Sequence, residues 1–361
     1  MKVLYAIQGT GNGHLSRARE IIPVLNKYCD TDILVSGYQA EVSLPFKVKY
    51  KYRGLSFIFG KKGGIDLWNT YIEANFSEFK QEILSCPVEN YDLVINDFEP
   101  VSAWAAYDKK VPCIALSHQA AVLNKHSPKP KKQDLFGKFI LKNYAPSSMQ
   151  FGFHFNTYAP NVFSPVIRRE IRELGVSDKG HYTVYLPSYS DKKLLKILSK
   201  IEGVHWQVFS KHTSKSYEHE RIKVSPINNE KYIESLRNCT GLLCGAGFEG
   251  PAEAMYLGKK LMVVPMKWQY EQQCNAAALK EIGVPVLKKL NVEKINKVQS
   301  WVDSDHKVDI HYPDQTDFII SKLFEEHVTN ILDEKKWDSH YELKYDVSEK
   351  VKRELLKKPS K

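Results

Sequence analysis

Two series of short apolar runs, each followed by a loop or a helix, dictate what this chain can fold into. The first series is residues 3–7, 32–36, 92–96 and 112–116; the second is 182–186, 205–209, 222–225, 241–244 and 260–264. Runs of that length bounded by turn residues read as strands buried on both faces, and strands alternating with helices build a parallel sheet covered by helices. Between the two series the stretch 156–165 carries Pro160 and Pro165 and breaks the pattern. The expectation is an α/β protein of two doubly wound halves facing across a cleft. The first half takes residues 1–160, the second 161–334, and a charge-rich tail covers 335–361. A chain of 361 residues suits two cores of ordinary size.

Composition narrows the chemistry. The cysteines (Cys29, Cys86, Cys113, Cys239, Cys244, Cys274) are scattered, with no Cys-x-x-Cys pair and no histidine spacing suited to zinc. They read as small buried hydrophobes in a reducing compartment, so neither a metal nor a cofactor is expected. The apolar run at the start is too short for a signal peptide, and no stretch has the length needed to span a bilayer. A cytoplasmic protein is expected. The formal charge of +10 suits acidic substrates, anionic lipids or nucleic acid alike.

Open parallel sheets bind ligands at the carboxyl ends of their strands, and two loops fall there. The first, Gly9-Thr10-Gly11-Asn12-Gly13-His14, precedes a helix expected over residues 17–27. It lacks the last glycine of a dinucleotide fingerprint and the Lys-Ser/Thr of an ATPase phosphate loop. By itself it is as well explained by a tight turn. The second runs from residue 240 to Glu253 through Gly245, Gly247 and Gly250 into a helix opened by Pro251. Bare amides over a helix start form an anion site suited to a diphosphate. A strand ending in Pro265 and the run Glu271-Gln272-Gln273-Cys274-Asn275-Ala276 follow.

Residues 245–286 resemble the donor-binding signature of nucleotide-sugar glycosyltransferases with two Rossmann-like domains, the GT-B fold. The similarity is to the peptidoglycan N-acetylglucosaminyltransferase and the UDP-glycosyltransferase group. The loop Gly9–His14, the strand ending in Asp97, and Ser117-His118-Gln119 resemble the same group's acceptor side, in the same order along the chain. The resemblance implies a hexosyltransferase using a UDP-sugar and a hydroxyl acceptor without metal, in the synthesis of a cell-envelope glycan or glycolipid. It gives Glu253 the ribose hydroxyls. The backbone of Gly245, Ala246, Gly247, Phe248 and Gly250 takes the diphosphate, Glu271 and Gln272 the sugar, and Ile227 the base. His14 becomes the general base, oriented by Asp97, and a single displacement implies inversion. Gly11, Asn12, Gly13, His118 and Gln119 line the acceptor side. Gly250 stands where relatives carry Ser or Thr, and Glu249 adds negative charge beside an anion site. The loop from Leu186 to Ser190 lacks the relatives' glycines, and Ser188, with Lys211 or His212 from the next strand's end, is the candidate for making up the missing phosphate contacts.

Duller roles compete: a surface acid for Glu253, a loop cap for His14, a turn residue for Asp97. A sugar-nucleotide epimerase or hydrolase of the same architecture, or an inactive nucleotide-sugar binder, also fits. Residues 125–142 mix Lys125, Lys129, Lys131, Lys132, Lys138 and Lys142 with Leu135, Phe136, Phe139, Ile140 and Leu141. That mixture suits peripheral contact with an anionic membrane, at its inner face, or a solvated loop before a core helix. Nucleic acid is not expected, since no reading motif accompanies the lysines.

Overall fold

The computed structural model describes residues 1–37, 44–55, 76–132 and 134–331. The charged tail expected over 335–361 lies outside the described residues, as does Gln133 within the basic segment.

Both expected sheets form. The first contains β1 (Lys2–Gln8), β2 (Asp30–Ser36), β3 (Tyr50–Tyr52), β4 (Leu93–Asp97), β5 (Cys113–Ser117), β6 (Met149–Phe153) and β7 (Val162–Phe163). Its order is β3-β2-β1-β4-β5-β6-β7, every described pair parallel. The second contains β8 (His181–Tyr185), β9 (His205–Ser210), β10 (Tyr217–His219), β11 (Ile222–Pro226), β12 (Gly241–Cys244) and β13 (Lys260–Val263). Its order is β10-β11-β9-β8-β12-β13, parallel except for the exposed edge strand β10. The central strands are buried along their length, as the continuous apolar runs require.

The helices of the first half are α1 (Asn12–Tyr28), α2 (Phe76–Ser85), α3 (Pro100–Asp108), α4 (His118–Leu123) and α5 (Leu135–Asn143). Those that follow are α6 (Arg169–Arg172), α7 (Asp191–Leu198), α8 (Asn229–Asn238), α9 (Glu249–Tyr256), α10 (Tyr270–Glu281), α11 (Ile295–Asp303) and α12 (Thr316–Ile331). Ala18, Ile21, Ile22 and Leu25 give α1 its buried face against the first sheet. Glu99 caps α3 by accepting from Val101 N and Ser102 N, both at 2.7 Å, and Asp134 caps α5 at Gly137 N.

The chain passes between the halves twice. β7 still pairs in the first sheet, just beyond the expected division at residue 160, and the crossing follows it. At the far end α12 returns to the first half. Asp317 accepts from Lys27 Nζ at 3.2 Å and from the Tyr28 hydroxyl at 3.0 Å, and Lys322 Nζ donates to the Pro160 carbonyl at 3.0 Å.

Candidate active site between the two sheets

In the first sheet Ile7 pairs with Asp97, and Asn96 with Ala115, so the carboxyl ends of β1, β4 and β5 form one edge. That edge carries the start of α1, Asp97, and the start of α4. The helix α1 begins earlier than its apolar pattern indicates, at Asn12 directly after Gly11, whose φ is 96°. His14 therefore belongs to the first helical turn and not to the loop. The apolar period starts only at Leu15, which is why the pattern alone places the start late.

His14 Nδ1 lies 2.9 Å from Asp97 Oδ1. Asp97 is fully buried and has a second partner, Arg17, one turn along α1 from His14. Arg17 Nη2 donates to Oδ1 at 2.7 Å and to Oδ2 at 2.8 Å, and Nε reaches Oδ2 at 3.2 Å. Burial alone would raise the Asp97 pKa, but Arg17 and His14 beside it hold the carboxyl below its usual range. Burial also opposes the charge on Arg17, and Asp97 and Glu249 override it. Phe98 follows with φ 58°, a left-handed backbone that costs a non-glycine residue about 1 kcal/mol or more. Its ring lies parallel to the His14 imidazole, 8° apart in plane at 6.5 Å, and stacks on Tyr144 at 4.7 Å. The strained residue thus places its ring between His14 and Tyr144, parallel to the imidazole.

In the second sheet Pro226 pairs with Ser210, and Cys244 with Tyr185, so Ile227, Lys211, Ser188 and Gly245 follow adjacent strand ends. Lys211 is exposed, Ser188 and Ile227 half-buried. At Gly247 no heavy atom lies within 4 Å of where a Cβ would stand, so bare backbone is presented there. Ala246 and Phe248 instead turn their side chains into the core and can offer a ligand only backbone. The Phe248 ring stacks on His118 at 3.9 Å.

Glu253 is buried and already paired. Arg168 Nε donates to its Oε1 at 2.6 Å and Nη2 to its Oε2 at 2.9 Å. Burial raises the Glu253 carboxyl, with Arg168 pulling the other way; burial works against the Arg168 charge, and Glu253 overrides it. A bidentate guanidinium takes one lone pair from each oxygen and leaves others for hydroxyl donors.

Beside the Phe248–His118 stack, hydrogen bonds among the described residues join the halves at this place. Gln119 Nε2 donates to Glu271 Oε2 at 3.0 Å. His118 lies 2.8 Å from the Phe153 carbonyl by Nδ1 and 2.8 Å from Asn275 Oδ1 by Nε2. Burial lowers the His118 pKa, with Glu271 opposing, and with both ring nitrogens occupied this side chain ties the halves together. Arg17 Nη1 donates to Glu249 Oε1 at 2.6 Å. Arg169 N donates to Glu20 Oε1 at 3.0 Å. Gln272 stays within the second half, its Oε1 accepting from Met266 N at 2.9 Å beside Gly245.

The glycines of the first loop divide their work. Gly11 supplies the positive φ, while Gly13 lets Glu249 close in, since a Cβ there would stand 2.5 Å from Glu249 Oε2. The negative charge of Glu249 is therefore answered by Arg17 and by the start of α1. Sequence reasoning gave no role to Arg17, Arg168 or Phe98, and placed Asn275 only within the run from Glu271 to Ala276. Only Arg17 left a signal: it precedes Ile21 and Leu25 by whole turns, a charge on an apolar helix face.

A family model described as glycosyl transferase family 1 matches residues 1–303. No curated protein sequence matches. Solved structures match over nearly the whole chain. MurG of Acinetobacter baumannii is 13% identical with a TM-score of 0.53, covering 90% of this chain and 99% of its own. UGT2 of Phytolacca americana, complexed with UDP-2fluoro-glucose and pterostilbene, is 14% identical with a TM-score of 0.55, covering 93% and 98%. The glycosyltransferase SnogD of Streptomyces nogalater is 12% identical with a TM-score of 0.51, covering 90% and 99%. At these identities the likeness carries the fold, and the fold is GT-B.

Proposed function

The chain belongs to glycosyl transferase family 1, and we propose that it moves a sugar from a UDP-sugar to a hydroxyl acceptor with inversion, His14 being the general base. The observation that carries this reading is the contact of His14 Nδ1 with the buried Asp97 carboxylate. With Nδ1–H donated to Asp97, Nε2 keeps a lone pair and takes the acceptor's proton as its oxygen attacks the anomeric carbon. The bond from that carbon to the diphosphate oxygen breaks, and the diphosphate leaves with the electron pair. Backbone amides around Gly247 and the start of α9 meet the leaving charge, so a divalent metal is not required. Glu253, held by Arg168, accepts from the ribose hydroxyls. Glu271, Gln272, Ser188, Lys211 and Ile227 complete the donor side; Gly11, Asn12, Gln119 and His118 the acceptor side. UDP as the nucleotide draws support from the ligand named for the Phytolacca americana enzyme.

A thermal-shift titration tests the donor directly. UDP at about 100 times its dissociation constant should stabilise the fold by about 2.7 kcal/mol. Once a donor and acceptor pair is in hand, transfer should persist in EDTA, and donor without acceptor should release no free sugar or epimer. Activity lost in EDTA and restored by magnesium or manganese would sink the metal-free mechanism. Free sugar or epimer from donor alone would favour a hydrolase or epimerase.

The acceptor is proposed to be lipid-linked and reached at the inner face of an anionic membrane through residues 125–142. One lysine leaves the set: Lys129 Nζ turns back onto the carbonyls of Val122, Asn124 and Ser127. Lys125, Lys131, Lys132 and Lys142 remain exposed beside Leu135 (73% exposed) and Phe136 (58%). The second half adds to the surface. At Gly137 a Cβ would stand 2.8 Å from Tyr270 Cβ, so α5 packs on the start of α10, and Trp268 just before it is 60% exposed. Among the described residues no helix is long and apolar enough to cross a membrane, so contact would be peripheral. Wild type should cosediment with phosphatidylglycerol vesicles. The Leu135→Ser, Phe136→Ser double variant should bind at least about a hundredfold more weakly, at about 1.5 kcal/mol or more per side chain. Equal binding by both would exclude this surface.

A further inference from the structure

Arg17 Nη2 stands within hydrogen-bond reach of two competing acceptors. It lies 2.7 and 2.8 Å from the Asp97 oxygens and 3.1 Å from His14 Nδ1. A neutral imidazole resolves that geometry in one of two ways. In the first, Nδ1–H is donated to Asp97 and Nε2 carries the lone pair. In the second, Nδ1 accepts from Arg17, the proton moves to Nε2, and the outward nitrogen can no longer take a proton. Where Arg17 spends its hydrogens therefore decides whether His14 faces the cleft as a base.

Glu249 controls that choice from the other half. It is the first residue of α9, and it accepts from Arg17 Nη1 at 2.6 Å. Its other oxygen lies against Gly13, where a Cβ would come within 2.5 Å. With Nη1 held by Glu249 and Nη2 and Nε held by Asp97, the guanidinium plane is fixed at both ends. The charged and titratable groups around His14 are then Asp97, Arg17 and Glu249, with Tyr5 behind Asp97 and Arg17. We propose that Glu249 is a positioning residue: through Arg17 it holds His14 in the Nδ1–H tautomer only when the two halves are closed on each other. The first turn of the donor-side helix would thus prepare the acceptor-side base. The inference rests on the reading of His14 as that base, but the hydrogen-bond coupling can be observed without any reaction.

The measurement is the 15N spectrum of imidazole nitrogens in histidine-labelled protein at about pH 9, above the ordinary imidazole range. Protonated and bare ring nitrogens are distinguished there, and the His14 signals are those lost in His14→Gln. In the wild type the Nδ1–H form should dominate. Glu249→Gln should move the tautomer ratio toward Nε2–H about fivefold or more, the scale of one net hydrogen bond. Gly13→Ala keeps the charge but displaces the carboxylate, and should move the ratio the same way. Glu249→Asp should stay nearer the wild type than Glu249→Gln. Asp317→Asn, which weakens the ion pair between α1 and α12 without touching Arg17, should leave the ratio alone. An unchanged ratio in both Glu249→Gln and Gly13→Ala overturns the proposal, and so does an equal shift in Asp317→Asn. The two ideas separate cleanly. A responsive tautomer in a protein that transfers normally without His14 would keep the coupling and discard the base. A fixed tautomer in an enzyme that needs His14 would do the reverse.

Discussion

Replacing His14 by alanine should reduce transfer about 10²–10⁴-fold while leaving UDP affinity nearly unchanged. The ring sits on α1 in the first half, whereas Gly245, Gly247 and Glu253 lie on the second sheet's edge. Removing it should also spare the fold. The imidazole side chain is 13% exposed, and Asp97 keeps its three contacts to Arg17 after the ring has gone. Asp97→Asn is a less clean test than the chemistry alone suggests. It removes the carboxylate facing a buried guanidinium, so lost stability and lost orientation of His14 would arrive together. The paired measurement is calorimetric UDP binding and initial transfer rate on the same folded His14→Ala protein. Near-normal transfer would exclude the base. Lost UDP binding would move His14 to the phosphate side of the site.

Glu253→Ala should act on the fold as strongly as on the ligand. Arg168 would keep a buried guanidinium with its bidentate partner removed. Breaking a buried pair from one side costs about 3–5 kcal/mol, a large fraction of a typical folding free energy. Arg168 is not left wholly alone, because Glu170 accepts from its Nη1 and Asn229 Oδ1 lies 3.3 Å away. That points to the lower end of the range. Urea unfolding reads the stability, and UDP titration on the remaining folded protein reads the ribose contact, which should weaken by about 1.5–3 kcal/mol. Full stability in the variant would mean that the Arg168 pair does not hold in solution. Full stability loss with unaltered UDP affinity would leave Glu253 a purely structural acid.

The legible part of the fold was the part that repeats. Most of the longer buried strands announce themselves as short, mainly apolar runs, because both faces are covered. The strands that escaped notice lack that signature. Tyr217–His219 is an exposed antiparallel edge, Val162–Phe163 is two residues long, Tyr50–Tyr52 alternates around an exposed lysine, and Met149–Phe153 is broken by the exposed Gln150 and by Gly152. The site divides in the same way. His14 and Asp97 could be picked out because strand ends and glycine loops are marked locally. Their partner Arg17 and the pairing of Glu253 with Arg168 could not. Those contacts depend on which helix face meets which neighbour within each half, and of these residues only Arg17 leaves a local mark, as a charge on an apolar helix face.

The return of α12 onto α1 has a mechanical result. Among the described residues the chain starts on the first half at β1 and comes back to it with α12, so two separate polypeptide passages join the second half to the first. Two attachment points define an axis, as a pair of hinges does for a door. Swinging about that axis is cheap in backbone terms, while shear along the cleft or a twist of one edge over the other strains both passages. An opening and closing of the cleft about that axis would bring the edges bearing His14 and Gly247 back together in the same alignment.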